Sequence, residues 1–271
     1  LPELIASINA NLKDSPSLAV GNVIGSNIAN ILLIAGVSAI IMPLRVNLKS
    51  MRNDLIMLGF ASVLWASLLF LLPVTPIVGV ISLVILVGYV VFQYQLAQRG
   101  EREVEPYLEM EKTAEETAPV NHKKAIVMVI GGLIGLAIGA ELLIRGAVTT
   151  ARILNVPDGI IGLTIVAIGT SLPELTTCAV AAMKRQVDVI IGNLVGSNVF
   201  NLMMILGSMG MIKAYDIRVT DISMLQQDMS IMLGVTGLFI LTLVVFKKVP
   251  RTAGVIYTLA YCGYMVLLTV Q

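Results

Sequence analysis

Apolar runs long enough to cross a bilayer recur at about 18–42, 53–72, 74–95, 124–146, 157–182, 188–211, 228–246 and 252–270, each close to the roughly 20 residues that span a hydrocarbon core. They predict eight transmembrane helices, with residues 1–11 as part of another in front. Between 96 and 123 the pattern changes: Glu101, Glu103, Glu105, Glu109, Glu111, Glu115 and Glu116 crowd a stretch with little apolar content. The segment reads as a solvated linker, because it lacks the Asp and Gly spacing that a calcium-sensing loop needs. The chain therefore divides into 1–95, an acidic linker 96–123, and 124–271.

Composition agrees. With 57% hydrophobic residues, 13% charged and a mean hydropathy of +0.91, against about 25% charged in soluble domains, a water-soluble globule is excluded. The net charge of +1 gives no reason to expect a nucleic-acid partner. The basic residues are nevertheless unevenly placed. Counting passes alternately, 13 of the 18 fall on the side of the linker, among them Arg45, Lys49, Arg52, Lys184, Arg185, Lys247, Lys248 and Arg251; Lys13, Arg145, Arg152, Lys213 and Arg218 fall opposite. The positive-inside rule then predicts a cytoplasmic linker and an external C-terminus. Cys178 and Cys262 lie far apart in apolar stretches and read as buried hydrophobes without a disulfide.

The chain also resembles itself. Leu1-Pro2-Glu3-Leu4 recurs as Leu172-Pro173-Glu174-Leu175, and Gly21-Asn22-Val23-Ile24-Gly25-Ser26-Asn27 as Gly192-Asn193-Leu194-Val195-Gly196-Ser197-Asn198, both at an offset of 171. Without a gap, 14 of the 36 residues from 1 to 36 are identical to their mates at 172–207, including Asn30 with Asn201 and Gly36 with Gly207. By the pass count the copies run in opposite directions, the inverted repeat of secondary transporters, whose site lies near the midplane between the halves. The expectation is an all-α polytopic membrane protein of five plus five helices. About 50 residues, holding the first helix and part of the second, are expected before Leu1.

Within this pattern Glu174 and its mate Glu3 stand out, because an acid at a helix centre costs about 2.5–3.5 kcal/mol on insertion scales and marks function. Gly169-Thr170-Ser171-Leu172-Pro173 precedes Glu174. A proline there removes an amide donor, which is expected to loosen carbonyls such as that of Ala167 beside the Thr170 and Ser171 hydroxyls. Such irregular backbone is tolerated at membrane depth where it is buried in protein or lines a cavity. In the next helix Asn193, Ser197 and Asn201 share one face, as do Asn22, Ser26 and Asn30 in the first copy. Gly192, Gly196, Gly21 and Gly25 are assigned to close helix packing. Carboxylate, hydroxyl, amide and carbonyl oxygens suit Ca²⁺, Mg²⁺ or alkali ions, whereas no intramembrane His or Cys pair is present for a softer metal.

Gly-Thr-Ser-Leu-Pro-Glu, followed about 18 residues later by Gly-Asn-x-x-Gly-Ser-Asn-x-x-Asn, resembles the α-repeat of the cation/calcium exchanger superfamily, especially prokaryotic-type Na⁺/Ca²⁺ exchangers. The resemblance covers both repeats and almost the whole chain. It implies an ion site of Glu174, Thr170, Ser171, the Ala167 carbonyl, Ser197 and Asn201 from one half and Glu3, Ser26 and Asn30 from the other, with Asn22 and Asn193 as secondary candidates. Glu3, Glu174 and Thr170 are the expected Ca²⁺ and Na⁺ ligands, no cofactor is implied, and the expected location is a prokaryotic plasma membrane. Asn201, where K⁺-dependent relatives carry Asp, argues against K⁺ dependence. Gly-Thr-Ser-Leu-Pro-Glu, where proton-coupled relatives show Gly-Asn-Ala-x-Glu, favours Na⁺ over H⁺ coupling.

The expected activity is therefore Ca²⁺/Na⁺ antiport in the lipid bilayer by alternating access around a pocket of formal charge −2. Ca²⁺/H⁺ antiport on the same residues is the alternative, and a cation channel or a non-transporting membrane protein the alternative of another class. An enzyme is not expected, since His122 lies in the linker and leaves the membrane without a base for a Ser-His pair. Glu141 and Arg145, one turn apart, read as a local ion pair. Asp54 is placed at the interface near Arg52, and Trp65 is read as lipid-facing or packing.

Overall fold

The computed structural model describes residues 2–98, 167–217 and 222–270, together with scattered positions between 127 and 166. The linker beyond Gln98, Glu141, His122 and most of the run at 124–146 lie outside the described residues. Helix α1 (Pro2–Leu12) is followed by α2 (Pro16–Ala29), which runs through a π-helical turn, Asn30–Ala35, into α3 (Gly36–Ile41). After β1 (Leu44–Arg45) come α4 (Leu48–Leu71) and α5 (Pro76–Gln98). In the second half α6 (Ala167–Thr170) breaks at Ser171 and resumes as α7 (Leu172–Met183). Then α8 (Val187–Phe200) passes through a π turn, Asn201–Leu206, into α9 (Gly207–Ile212), and α10 (Ile222–Phe246), β2 (Lys248–Val249) and α11 (Arg251–Val270) follow.

The offset of 171 carries through to backbone detail. Both π turns begin at the repeated asparagine, Asn30 and Asn201. Asp14 and Arg185, also 171 apart, have φ of 59° and 62° at the reversals before α2 and α8, the left-handed region that L-residues seldom adopt.

Strand pairing shows that the copies are inverted. Leu44, just after α3, pairs antiparallel with Val249, whereas Tyr215, just after α9, bridges to Val74. Between those two pairings runs α4, whose 24 residues extend about 36 Å at 1.5 Å per residue. The ends of α3 and α9 therefore lie on opposite faces of the bundle.

The two long rods, α2–α3 and α8–α9, form the centre, with Ile24, Ile28, Ile31, Ile34, Ile190 and Ile191 all fully buried. Around them α4, α5, α10 and α11 turn residues such as Val80, Val84, Val87, Leu241, Val245 and Leu259 outward. Together with the rods they supply six helices long and apolar enough to cross a bilayer, and the chain is an integral membrane protein. Each half's last helix clasps the other half's rod at glycine: a Cβ on Gly36 would meet Thr258 Oγ1 at 2.6 Å, one on Gly254 would meet the Gly36 carbonyl at 2.8 Å, and one on Gly79 would collide with the Gly207 carbonyl and the Met211 amide nitrogen. Small residues at such crossings let backbones approach where lipid offers no hydrophobic drive.

Two expectations change in detail, for Asp54 and Cys262, and the either-or reading of Trp65 narrows to packing. Asp54 does not simply border the surface: its carboxylate accepts from the Tyr89 hydroxyl and the Gln93 amide and ties α4 to α5. Trp65 is fully buried and packs rather than facing lipid. Cys178 is buried, but Cys262 is exposed, because α11 is an outer helix and its position faces outward.

Replacing Gly79 with Leu is expected to lower the thermal stability of the detergent-purified protein by about 1–3 kcal/mol or more through overpacking. Gly88→Leu on the same helix, where a Cβ meets nothing within 4 Å, should leave the melting temperature unchanged. Equal melting temperatures would refute the clasp.

Candidate ion-binding site

Pro173 sets the local geometry. It lacks the amide that would reach the Gly169 carbonyl four residues back, and the helix breaks at Ser171, which has φ −89° and ψ 1°. A new helix starts there with Glu174 in its first turn, where the partial positive charge of an N-terminus favours a carboxylate. Glu3 occupies the corresponding place in α1. The two carboxylates line one cavity of about 300 Å³ with Gly192, Asn193, Gly196, Ser197, Phe200 and Asn201. The inverted topology thus brings together two acids 171 positions apart, and the Asn193–Ser197–Asn201 face of the second rod walls their cavity.

The donor oxygens are there and partly idle. Glu3 is 4% exposed, and Glu3 Oε1, Glu174 Oε2, Ser171 Oγ and Asn30 Oδ1 are buried without a hydrogen-bond partner among the described residues. A buried oxygen left unpaired costs about 1–3 kcal/mol, more when charged, and here all four are acceptors.

The first copy's stripe is placed differently. Ser26 and Thr170, both fully buried, hold their hydroxyls 3.4 Å apart. Ser26 Oγ also reaches the Ala167 carbonyl at 3.4 Å, and Thr170 Oγ1 has the Val166 carbonyl at 2.9 Å and Asn22 Oδ1 at 3.2 Å as acceptors. None of Asn22, Ser26, Asn30, Ala167 and Thr170 is among the residues lining the glutamate cavity. They form a packed polar layer, and Asn22 also lines a second cavity of about 480 Å³ with Ser7, Asn9, Lys13 and Arg145.

Two readings need correction. The Ala167 carbonyl is not loosened: it still accepts the Ser171 amide at 3.2 Å, because the donor that Pro173 lacks belonged to Gly169. Gly192 and Gly196 make no close packing contact among the described residues, since a Cβ on either would meet nothing of them within 4 Å. They widen the cavity, and the close glycine contacts lie instead at Gly36, Gly79, Gly207 and Gly254.

Other functional residues become visible only in three dimensions. Asn201 Nδ2 donates to Asn27 Oδ1 at 3.2 Å, and Asn30 Nδ2 lies 3.5 Å from Asn198 Oδ1. Because 27 matches 198 and 30 matches 201, these are reciprocal bonds between the two rods at the start of each π turn. Likewise Asn22 Nδ2 donates to Ser7 Oγ at 3.0 Å and Asn193 Nδ2 to Cys178 Sγ at 3.2 Å, again one pair per copy. Asn27 and Asn198 were present in the repeated motif, but their spacing put them off the stripe.

The sodium/calcium exchanger protein family matches residues 1–95 and 124–270. The chain is 32% identical over 271 residues to the inner membrane protein YrbG of Escherichia coli (strain K12), covering 99% of this chain and 82% of that protein. It is 26% identical over 299 residues to the sodium/calcium exchanger MaX1 of Methanosarcina acetivorans, covering 99% and 85%. Its fold superimposes on structures of the sodium-calcium exchanger NCX_Mj. One, soaked with zero Na⁺ and Ca²⁺, gives a TM-score of 0.75 at 27% identity over 98% of this chain and 81% of that one. Another, soaked with 2.5 mM Na⁺ and 1 mM Sr²⁺, gives 0.75 at 26% over 98% and 82%. With nearly its whole length matched, in sequence and in fold, this chain belongs to the sodium/calcium exchanger protein family.

Proposed function

We propose that the chain moves Ca²⁺ against Na⁺ across the membrane by alternating access, with Glu3 and Glu174 as the shared charged ligands. The observation that carries this reading is the pair of glutamates on one cavity, Glu3 buried and Glu174 half-buried, each with a buried oxygen that no hydrogen bond satisfies among the described residues. Two like charges in a low-dielectric bundle are unfavourable without a counter-charge. One Ca²⁺ neutralises both, and Na⁺ ions do the same when neutral oxygens of Ser197, Asn201 and Asn193 help hold them. A carrier with the cavity bare resists reorientation until it is reloaded, which couples the two ion movements. Rocking of the rods against the outer helices would expose the cavity to each side in turn. Ser26, Thr170, Ser171, Asn30 and the Ala167 carbonyl do not line the cavity in this arrangement and would join the ligand set only after a shift of their helices.

Na⁺ rather than H⁺ is the partner ion on the Gly-Thr-Ser-Leu-Pro-Glu motif, and the exchanger names of MaX1 and NCX_Mj support it. The basic residues place the face bearing the linker in the cytoplasm and the C-terminus outside, in a prokaryotic plasma membrane.

In proteoliposomes, a Na⁺ gradient is expected to drive ⁴⁵Ca²⁺ uptake while a pH gradient alone does not; the reverse result establishes Ca²⁺/H⁺ exchange. Glu174→Gln, which keeps side-chain volume, should abolish the Na⁺-driven uptake, and retained uptake sinks the role of this residue. Asn27→Ala removes the acceptor that holds the Asn201 amide, at a cost of about 1 kcal/mol. The Ca²⁺ concentration for half-maximal uptake should therefore rise about fivefold, and an unchanged value refutes positioning of Asn201 by Asn27.

A further inference from the structure

A third acid is buried inside the membrane-spanning helices, away from the glutamate cavity. Asp228, in α10, is 0% exposed, and neither carboxylate oxygen makes a hydrogen bond among the described residues. The Tyr264 hydroxyl of α11 lies near it, short of a well-formed hydrogen bond. Tyr261 stands beside Tyr264, with ring centroids 6.3 Å apart and planes tilted by 46°. Both rings are buried, at 4% and 5% exposed, and both hydroxyls are without partners. A buried ionised carboxylate in such surroundings is so costly that it takes up a positive charge or a proton.

The charged groups among the described residues bear on how much charge. Neither α2 nor the following π turn, both packed on α10, carries a charged residue. Lys49, Arg52 and Asp54 of α4 and Arg251 of α11 lie where those helices leave β1 and β2, at the opposite end of α10. Asp228 precedes that end by 18 residues, about 27 Å along the helix. One carboxylate and a neutral hydroxyl match a single positive charge, whereas a divalent ion would keep one charge uncompensated in the bundle. One turn along α10, Met232 Sδ lies 3.8 Å from Asn27 Nδ2, so this acid shares a helix with the polar crossing of the rods.

We propose that Asp228, with the Tyr264 hydroxyl beside it, binds one monovalent cation at a site separate from the Glu3–Glu174 cavity. Na⁺ and a proton both supply that charge, and the test separates them. It uses the full chain carrying Glu3→Gln and Glu174→Gln, so that it does not depend on exchange activity. Thermal unfolding is followed in detergent, first as Na⁺ replaces choline at constant ionic strength, then in choline between about pH 8 and pH 6.

A melting temperature that rises with Na⁺ by about 2–4 °C at several times the dissociation constant, and no longer does so after Asp228→Asn, assigns the site to Na⁺. A rise only on acidification, likewise removed by Asp228→Asn, assigns it to a proton, since a group protonated in the fold but ionised when unfolded adds stability as pH falls. A response in neither arm, or one unchanged by Asp228→Asn, overturns the proposal. Should Asp228→Asn fail to fold, Tyr264→Phe decides: the proposal requires the midpoint of the response to weaken about fivefold, and an unchanged midpoint overturns it.

Discussion

Two like-charged carboxylates on one cavity within an apolar bundle are the constraint around which the rest of this structure is arranged. Glu174 sits in the first turn of a helix, where the backbone favours a negative charge, and both Glu3 and Glu174 leave an oxygen unsatisfied among the described residues. The bundle can hold such a pair only if other contacts keep its elements in place. The break at Ser171 is one consequence: it starts a helix at membrane depth, which only a site walled by protein permits.

The contacts that hold the pair come in twos. Leu44 with Val249 and Tyr215 with Val74 pin the two faces of the bundle, and glycines bring each outer helix onto the opposite rod. At the centre, Asn27 with Asn201 and Asn30 with Asn198 tie rod to rod where both helices widen into π turns. A π turn displaces the hydrogen-bond ladder and is often found at functional positions. Here one carbonyl of the second turn, that of Met203, accepts the Ser82 hydroxyl of α5 at 2.9 Å.

The pairing is close to symmetric in backbone and unequal in side-chain surroundings. The second rod turns Asn193, Ser197 and Asn201 to the glutamate cavity, while Asn22, Ser26 and Thr170 are packed together in a layer that touches a different cavity. An inverted repeat whose two copies sit in unlike surroundings has exchanged its roles if the copies trade arrangements, which is the geometric requirement of alternating access.

Much of this was written in residue order. The apolar runs located the six described long helices, the repeat at offset 171 implied inversion, and Pro173 marked the break, because hydrophobicity, self-similarity and a missing amide are properties of residues and their spacing. Side-chain neighbours across the repeats were not legible in that way. Gly192 and Gly196 obeyed the small-residue spacing of a packing seam yet line the glutamate cavity and meet none of the described residues closely, and the Ala167 carbonyl kept the Ser171 amide that local reasoning took from it. Asn27 and Asn198 gained their partners only when two rods crossed. Residue types and their periods thus determine which helices form, which way each half runs and which acids are out of place in lipid. The crossing of the halves decides which oxygens meet, because contacts between residues more than 140 positions apart depend on rotation and depth of packing, and neither leaves a period in the chain.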